Sequence, residues 1–305
     1  MFVRFHRYLP FFAKHNEILL DYSKIAGLDN PHRKKMRKLA VILAIFVVPP
    51  AIVADEASNS EPGEPAFNAG RPGSTESPFA VPTGYFQIES GLLGYTLTSS
   101  EGVLSRSWNV MQTAFRYGIF KDTDIQLVVQ PYLTQNQRGE GLTNTTQGFA
   151  GVTLRMAHTL SNGEDGGPAF GIIGFITPPL AKKELKESGL VSDRTEGGAL
   201  ETFSLGLIDQ LTLTVTLGDA MRRRDDRYVN EYSGGVNLTY AFSDKVGAYV
   251  EGFAARASKE QTVGTYNFGA TYLLDRVTQL DAGVNFGGSH EADDTNLFIG
   301  WSHRF

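Results

Sequence analysis

Leu297-Phe298-Ile299-Gly300-Trp301-Ser302-His303-Arg304-Phe305 closes the sequence. Leu297, Ile299, Trp301 and Phe305 fall on one face of an extended strand at period two. Asn296, Gly300, Ser302 and Arg304 fall on the other. One face is apolar and aromatic, and the other is polar or small. That division suits a wall with lipid on one side and water on the other. The last strand of a soluble sandwich would also alternate. The choice therefore depends on the rest of the chain.

The same alternation recurs from Gly84 onward. Phe86, Ile88 and Leu92 alternate with Gln87 and Glu89, and Phe115 and Tyr117 with Ala114 and Arg116. Ile125, Leu127 and Val129 alternate with Gln126 and Gln130, and Leu154 and Met156 with Thr153 and Arg155. Leu211 to Leu217, Val236 to Phe242, Val246 to Val250 and Leu280 to Phe286 repeat it. No stretch keeps a helical apolar period for three turns. Residues 167–177 are apolar on both faces and cannot be phased, and the phase of 199–208 puts Glu201 at the lipid edge.

The spacing predicts about twelve strands: 84–98, 106–119, 124–133, 147–159, 167–177, 197–208, 210–219, 229–243, 245–257, 262–274, 276–287 and 295–305. Tight turns such as Lys121-Asp122-Thr123 and Ser243-Asp244-Lys245 alternate with longer segments near 99–107, 134–146, 178–195, 220–229, 256–262 and 288–294. Short turns on one side and long loops on the other form the outer-membrane pattern. An even strand number puts both ends on the turn side, and closure removes the strand edges that lipid cannot tolerate. The expected fold is all-β: an antiparallel transmembrane β-barrel of about 12 strands in meander order, preceded by a signal peptide and a flexible arm.

Composition agrees with this and excludes other classes. There is no Cys, so disulfides, thiolate metal sites and cysteine nucleophiles are absent. The slightly negative mean hydropathy excludes a helical membrane protein but not a barrel, half of whose wall faces water. Residues 55–305 hold 19 basic and 30 acidic residues, a formal net of −11. An acidic body without a basic stripe argues against nucleic acid as a partner. Nothing in the sequence calls for a cofactor.

Met36-Arg37-Lys38, the apolar run Leu39 to Val48, and Pro49 to Ala54 follow the order of a secretory signal peptide, with a cut expected after Ala54. The run is too short to span a bilayer. Residues 1–35 then read as an upstream in-frame extension, or else as a long n-region. Residues 55–83, rich in Glu, Pro, Ser and Gly, read as a flexible periplasmic arm, or one that tucks into the barrel mouth. Residues 84–305 form the barrel.

Glu89, Arg116, Gln126, Gln130, Arg155, Glu251, Asp281 and Asn285 share the inward phase, because a charge facing lipid at mid-depth costs roughly 2–4 kcal/mol. They would line a channel, or pair and plug a narrow barrel. Three carboxylates against two arginines predict a modest preference for cations. Arg222-Arg223-Arg224 sits where a strand leaves the membrane and could grip lipopolysaccharide phosphates, or be an ordinary solvated loop. Loop 178–195, with Lys182-Lys183-Glu184-Leu185-Lys186-Glu187, suits a short exposed helix on a surface loop, or a segment folded inward as a constriction. Ser289-His290-Glu291 with Asp293 and Asp294 is the best enzyme candidate, but adjacent residues on a strand point apart and nothing orients the His. A solvated loop is the expectation there. His158 and His303 read as wall residues near the rims.

Two resemblances add to this. Terminal Phe305, with Trp301, resembles the closing signature of bacterial outer-membrane barrels, which implies recognition by their assembly machinery. Arg71-Pro72-Gly73-Ser74-Thr75-Glu76, Val81-Pro82-Thr83-Gly84-Tyr85-Phe86-Gln87-Ile88-Glu89 and Phe115-Arg116-Tyr117-Gly118-Ile119 resemble the outer-membrane transporter family named for the meta-cleavage pathway of phenol degradation. Thr177-Pro178-Pro179 departs from the Pro-Thr-Gly common in that family. The resemblance implies a Gram-negative outer-membrane, porin-like channel passing small solutes, aromatic compounds among them, in contact with lipid and lipopolysaccharide. The alternatives are a hydrolase at the outer rim and a non-conducting structural or adhesive barrel.

Overall fold

The computed structural model describes residues 65–224 and 227–305. The extension, the signal peptide, its cut and the first part of the arm lie outside the described residues.

Among the described residues, fourteen strands form one antiparallel sheet. They are β1 (Phe86–Ser100), β2 (Val103–Phe120), β3 (Thr123–Gln130), β4 (Tyr132–Gly139), β5 (Leu142–Gly148), β6 (Gly151–Asn162), β7 (Ala169–Thr177), β8 (Glu196–Ile208), β9 (Leu211–Arg224), β10 (Arg227–Ala241), β11 (Val246–Ala257), β12 (Val263–Leu273), β13 (Thr278–Gly287) and β14 (Thr295–Arg304). Strand β1 pairs with both β2 and β14, which closes a ring of twelve; β4 and β5 are two extra strands. β4 pairs with the upper half of β2 above β3, so the β4–β5 hairpin extends the wall beyond the ring.

The wall inverts the usual inside and outside. Gln126 and Arg155 are 6% and 9% exposed, while their chain neighbours Leu127 and Leu154 are 39% and 51% exposed. The polar phase therefore points inward on all these strands and the apolar phase outward. The structure also phases β7: Ala169 and Ile173 are buried inward, and Phe170, Ile172 and Ile176 are exposed outward. Glu201 stands outward and exposed between Ile172 and Leu217, and nothing in the structure explains it.

Three of the expected long loops are not loops. The segment near 99–107 is a tight hairpin at Glu101-Gly102, where Gly102 has φ +79°. The segment 134–146 is the body of the β4–β5 hairpin, and 220–229 is mostly the ends of β9 and β10. Each strand here runs past the apolar band, so its outward face is no longer regularly apolar. Hydrophobic periodicity marks a strand only where one face meets lipid.

Closure is finished at the last residue. Phe305 N–H donates to Phe86 O at 2.7 Å, and Phe86 N–H returns to Phe305 O at 3.4 Å. The two rings lie 5.9 Å apart. Trp301 and His303 stack on the outer face at 5.8 Å. Deleting Phe305, or making Trp301→Asp, should lower the yield of folded barrel rather than alter its conductance. A heat-modifiable band at normal yield in semi-native gels would contradict this.

Candidate functional site

The arm from Pro65 to Thr83 is held inside the ring. It enters on the tight-turn side, where Arg304 donates to the carbonyls of Ala66 and Pro65 at 2.8 and 2.6 Å. Gln87 donates to Asn68 O at 2.9 Å, and Gly70 N–H donates to Glu89 at 3.1 Å. The chain then turns over at Arg71 to Glu76 and descends to β1. The flexible arm expected over 55–83 is thus, over its described part, a strap across the lumen. Its low apolar content does not leave it loose, because the surface it meets is polar.

Three carboxylate anchors hold the apex. Arg71 makes a two-pronged contact with Asp281, at 3.1 and 2.8 Å, and its guanidinium lies over the Phe298 ring. Glu251 accepts the backbone N–H of Ser74 and of Thr75 at 2.8 Å each, and the Thr75 hydroxyl at 2.6 Å. Asn267 and Asn237 also donate to Glu251, at 2.5 and 3.2 Å. Glu76 pairs with Arg155 at 2.8 Å, and its backbone bonds Thr216 and Thr202. On the descent, Thr159 bonds Pro78 and Ala80, Arg116 bonds Phe79 O, and Val81 N–H donates to Asp124 at 2.7 Å. Arg116 itself bridges Glu89 and Asp124, at 2.7 Å to each.

The wall is shaped for the strap. A Cβ at Gly300 would collide with the Arg71 guanidinium, and one at Gly118 would collide with Pro82 O. At Gly171 it would lie 2.5 Å from Pro78 O, and at Gly235 2.7 Å from the Thr75 methyl. These four positions lie on β14, β2, β7 and β10, so the close fit runs around the ring rather than along one strand.

Cavities lie on both sides of the strap. One of about 800 Å³ opens on the tight-turn side, bordered by residues 67–79 of the arm, Thr239, Tyr249 and Gln279. On the long-loop side lie cavities of about 140 and 290 Å³. The smaller is bordered by Arg71, Asn109, Asn285, Asn296 and Phe298. Leu190 of loop 178–195 borders both, so this loop folds inward rather than lying on the surface. Its helix α1 (Lys183–Glu187) carries the expected Lys183–Glu187 pair at 3.4 Å, but Leu185 is fully buried.

All eight residues expected to line a channel do point inward, but they do not share one role. Of the three cavities, only those on the long-loop side touch any of them, and those two touch Gln130 and Asn285. Glu89, Arg116, Arg155, Glu251 and Asp281 are spent on the strap or on one another, and Gln126 donates to Asp124 at 2.8 Å. A buried charge needs a partner, and the strap supplies it. Arg71, Glu76 and Asp124 were missed as site residues. Asp124 stood at a predicted strand edge, and Arg71 and Glu76 lay in a segment read as loose.

The arginine run is divided between the two faces of β9. Arg222 pairs with Glu196 and Glu231 at 3.2 and 3.0 Å, and Arg224 with Glu231 and Glu260 at 3.2 and 3.3 Å. Both lie in the inward phase of β9 with buried Thr216 and Ala220, so they are not presented to lipopolysaccharide. Arg223 has the opposite phase and lies over the Tyr228 ring. Ser289 accepts a bond from Gly264 N–H at 3.0 Å, while His290 is exposed and faces Glu291 at 3.5 Å. The two side chains are not arranged as nucleophile and base. His158 and His303 each bond a threonine hydroxyl, of Thr123 and Thr278, at 2.8 Å.

Glu251→Gln should weaken the apex by about 2 kcal/mol, the scale of losing a charge-assisted hydrogen-bond set. Hydrogen exchange at the Ser74 and Thr75 amides should then rise roughly 30-fold. Unchanged exchange would mean that the strap is held elsewhere.

The chain is similar in fold to an outer membrane channel from Pseudomonas putida F1, with a TM-score of 0.60 at 11% identity, covering 77% of this chain and 99% of that one. The translocator domain of the autotransporter NalP from Neisseria meningitidis matches with a TM-score of 0.45 at 12% identity, over 74% of this chain and 90% of that one. No curated protein matches the sequence. The family model described as "Putative MetA-pathway of phenol degradation" matches residues 69–305, a span that takes in the strap as well as the barrel, and the chain belongs to that family.

Proposed function

We propose that the protein is an outer-membrane channel for small solutes whose lumen is crossed by its own N-terminal strap. The observation that carries this reading is the pair of cavity systems, one on each side of Arg71–Glu76, inside a closed wall with a polar interior. A structural barrel has no need of free volume on both sides of a removable segment. The hydrolase reading loses support because Ser289 bonds Gly264 N–H while His290 faces Glu291.

The strap is removable in a chemical sense. It is held chiefly by ion pairs and hydrogen bonds, which water can replace. With the strap in place the path is narrow; with it displaced, Glu89, Asp124, Glu251 and Asp281 would face the lumen against Arg116, Arg155 and Arg304. Carboxylates in the majority favour cations. The family description supports aromatic compounds as solutes, and Phe298 beside the smaller cavity supplies one ring surface for them. A signal peptide cut after Ala54 and reading of Phe305 by the assembly machinery complete the proposal. So does lipopolysaccharide contact through the outward Arg223.

Planar-bilayer recording tests the reading. The double variant Arg71→Ala/Glu76→Ala should conduct several-fold more than the native protein, because both ion pairs at the apex are gone. It should pass K⁺ over Cl⁻ by roughly two- to fivefold. Absence of conductance from both proteins would sink the channel reading, and anion preference would show that the arginines dominate the opened lumen.

A further inference from the structure

The cavity of about 800 Å³ on the tight-turn side has a wall unlike that around the strap apex. At the apex the wall offers charges: Asp281, Glu251 and Arg155. Nearer the turns, on β8 to β11, it offers hydroxyls. Strand register sets them in two rows. Ser204 of β8 pairs with Thr214 of β9, which pairs with Asn237 of β10. One step nearer the turns, Thr212 of β9 pairs with Thr239 of β10, which pairs with Tyr249 of β11. These five hydroxyls and one amide all border the cavity. Neighbouring strands lie about 4.8 Å apart, so the rows form a polar grid at that spacing. Gly206 and Gly269 end the lower row, and a Cβ at Gly269 would meet the Tyr249 ring at 2.5 Å.

The grid keeps bonding capacity for a guest. Ser204 and Thr214 bond each other at 3.3 Å, and Thr239 donates to Asn237 at 2.8 Å. A hydroxyl donates once and accepts twice, so these bonds leave lone pairs unused. The Tyr249 side chain is 5% exposed, and its hydroxyl has no partner among the described residues. Buried hydroxyls in that condition are rare. The charged residues that border the cavity are Arg71, Glu76 and Asp209. Arg71 and Glu76 are paired with Asp281 and Arg155, and Asp209 stands in the turn between β8 and β9. Inside the chamber, neither an anion nor a cation meets an opposite charge that is free.

We propose that this chamber is a binding site for small neutral molecules carrying several hydroxyl groups, of the monosaccharide or polyol class. Wall hydroxyls that both donate and accept suit a guest whose own groups do the same, whereas an ion would give up its hydration for no counter-charge. The volume falls within the range of small-molecule sites, about 300–1,000 Å³. Pro72, Pro78 and Phe79 of the strap supply apolar surface opposite the grid, against which the C–H face of such a guest can lie. Occupancy needs only the opening on the tight-turn side. Passage of the guest across the membrane rests on the channel reading.

Glucose serves as the probe, with gluconate and glucosamine as its charged counterparts. Saturation-transfer NMR on the whole barrel, in micelles of a detergent without a sugar headgroup, should show saturable binding of glucose. The two charged forms should bind at least about fivefold more weakly. Thr212→Val/Thr214→Val removes two hydroxyls while keeping side chains that suit a strand. It should weaken glucose binding roughly tenfold, the scale of two modest hydrogen bonds. Should that pair lower the yield of folded barrel, Tyr249→Phe, which removes a single oxygen, should weaken it roughly fivefold. The proposal is overturned if glucose shows no saturable binding, if gluconate or glucosamine matches it, or if the folded variants bind it as the native protein does. Planar-bilayer recording of the same preparation separates the two readings: absence of K⁺ conductance alongside saturable glucose binding would overturn the channel and leave the site.

Discussion

In hydrocarbon, every backbone N–H and C=O must find its partner within the protein. That constraint organises this structure. It requires β1 to accept β14 on one side and β2 on the other, and it makes the last residue a closing element through Phe305 and Phe86. Closure in turn fixes which face of each strand meets lipid. Leu127, Leu154 and Leu217 are exposed because their solvent is the bilayer, and the buried set is mostly polar.

A polar interior creates a second requirement. Arg116, Arg155, Glu89, Glu251 and Asp281 are all nearly inaccessible, and unpaired charges there would be strongly destabilising. Part of the balance is internal, as in the Arg116 bridge between Glu89 and Asp124. The rest comes from the strap: Arg71 for Asp281, Glu76 for Arg155, and backbone N–H groups for Glu251. The lumen and the arm are therefore complementary halves of one electrostatic arrangement. Glycines at 118, 171, 235 and 300 give the arm room.

The two obstructions of the lumen differ in kind. The strap is bonded along its length and crosses the path near the tight-turn side. Loop 178–195 is anchored through the fully buried Leu185 and borders both long-loop-side cavities through Leu190.

The twelve-stranded ring, the inward phase of the eight polar residues and the tight-turn side of both barrel ends were legible in the sequence. Each follows from local periodicity against lipid, and family membership was legible in Arg71 to Glu89. Where β4, β5 and the upper ends of β9 and β10 leave the lipid, that periodicity vanishes, and the sequence could not mark them as strands. Arg222 and Arg224 looked like a surface run because their partners Glu196, Glu231 and Glu260 lie on other segments that the sequence did not bring together with them. The arm looked loose because it is poor in apolar residues, yet its partners Asp281 and Glu251 lie 210 and 177 positions away. The sequence by itself determined which face of each strand is wet. Only the tertiary structure decided what fills the wet side, because that depends on pairings between charges that come together once the ring has closed.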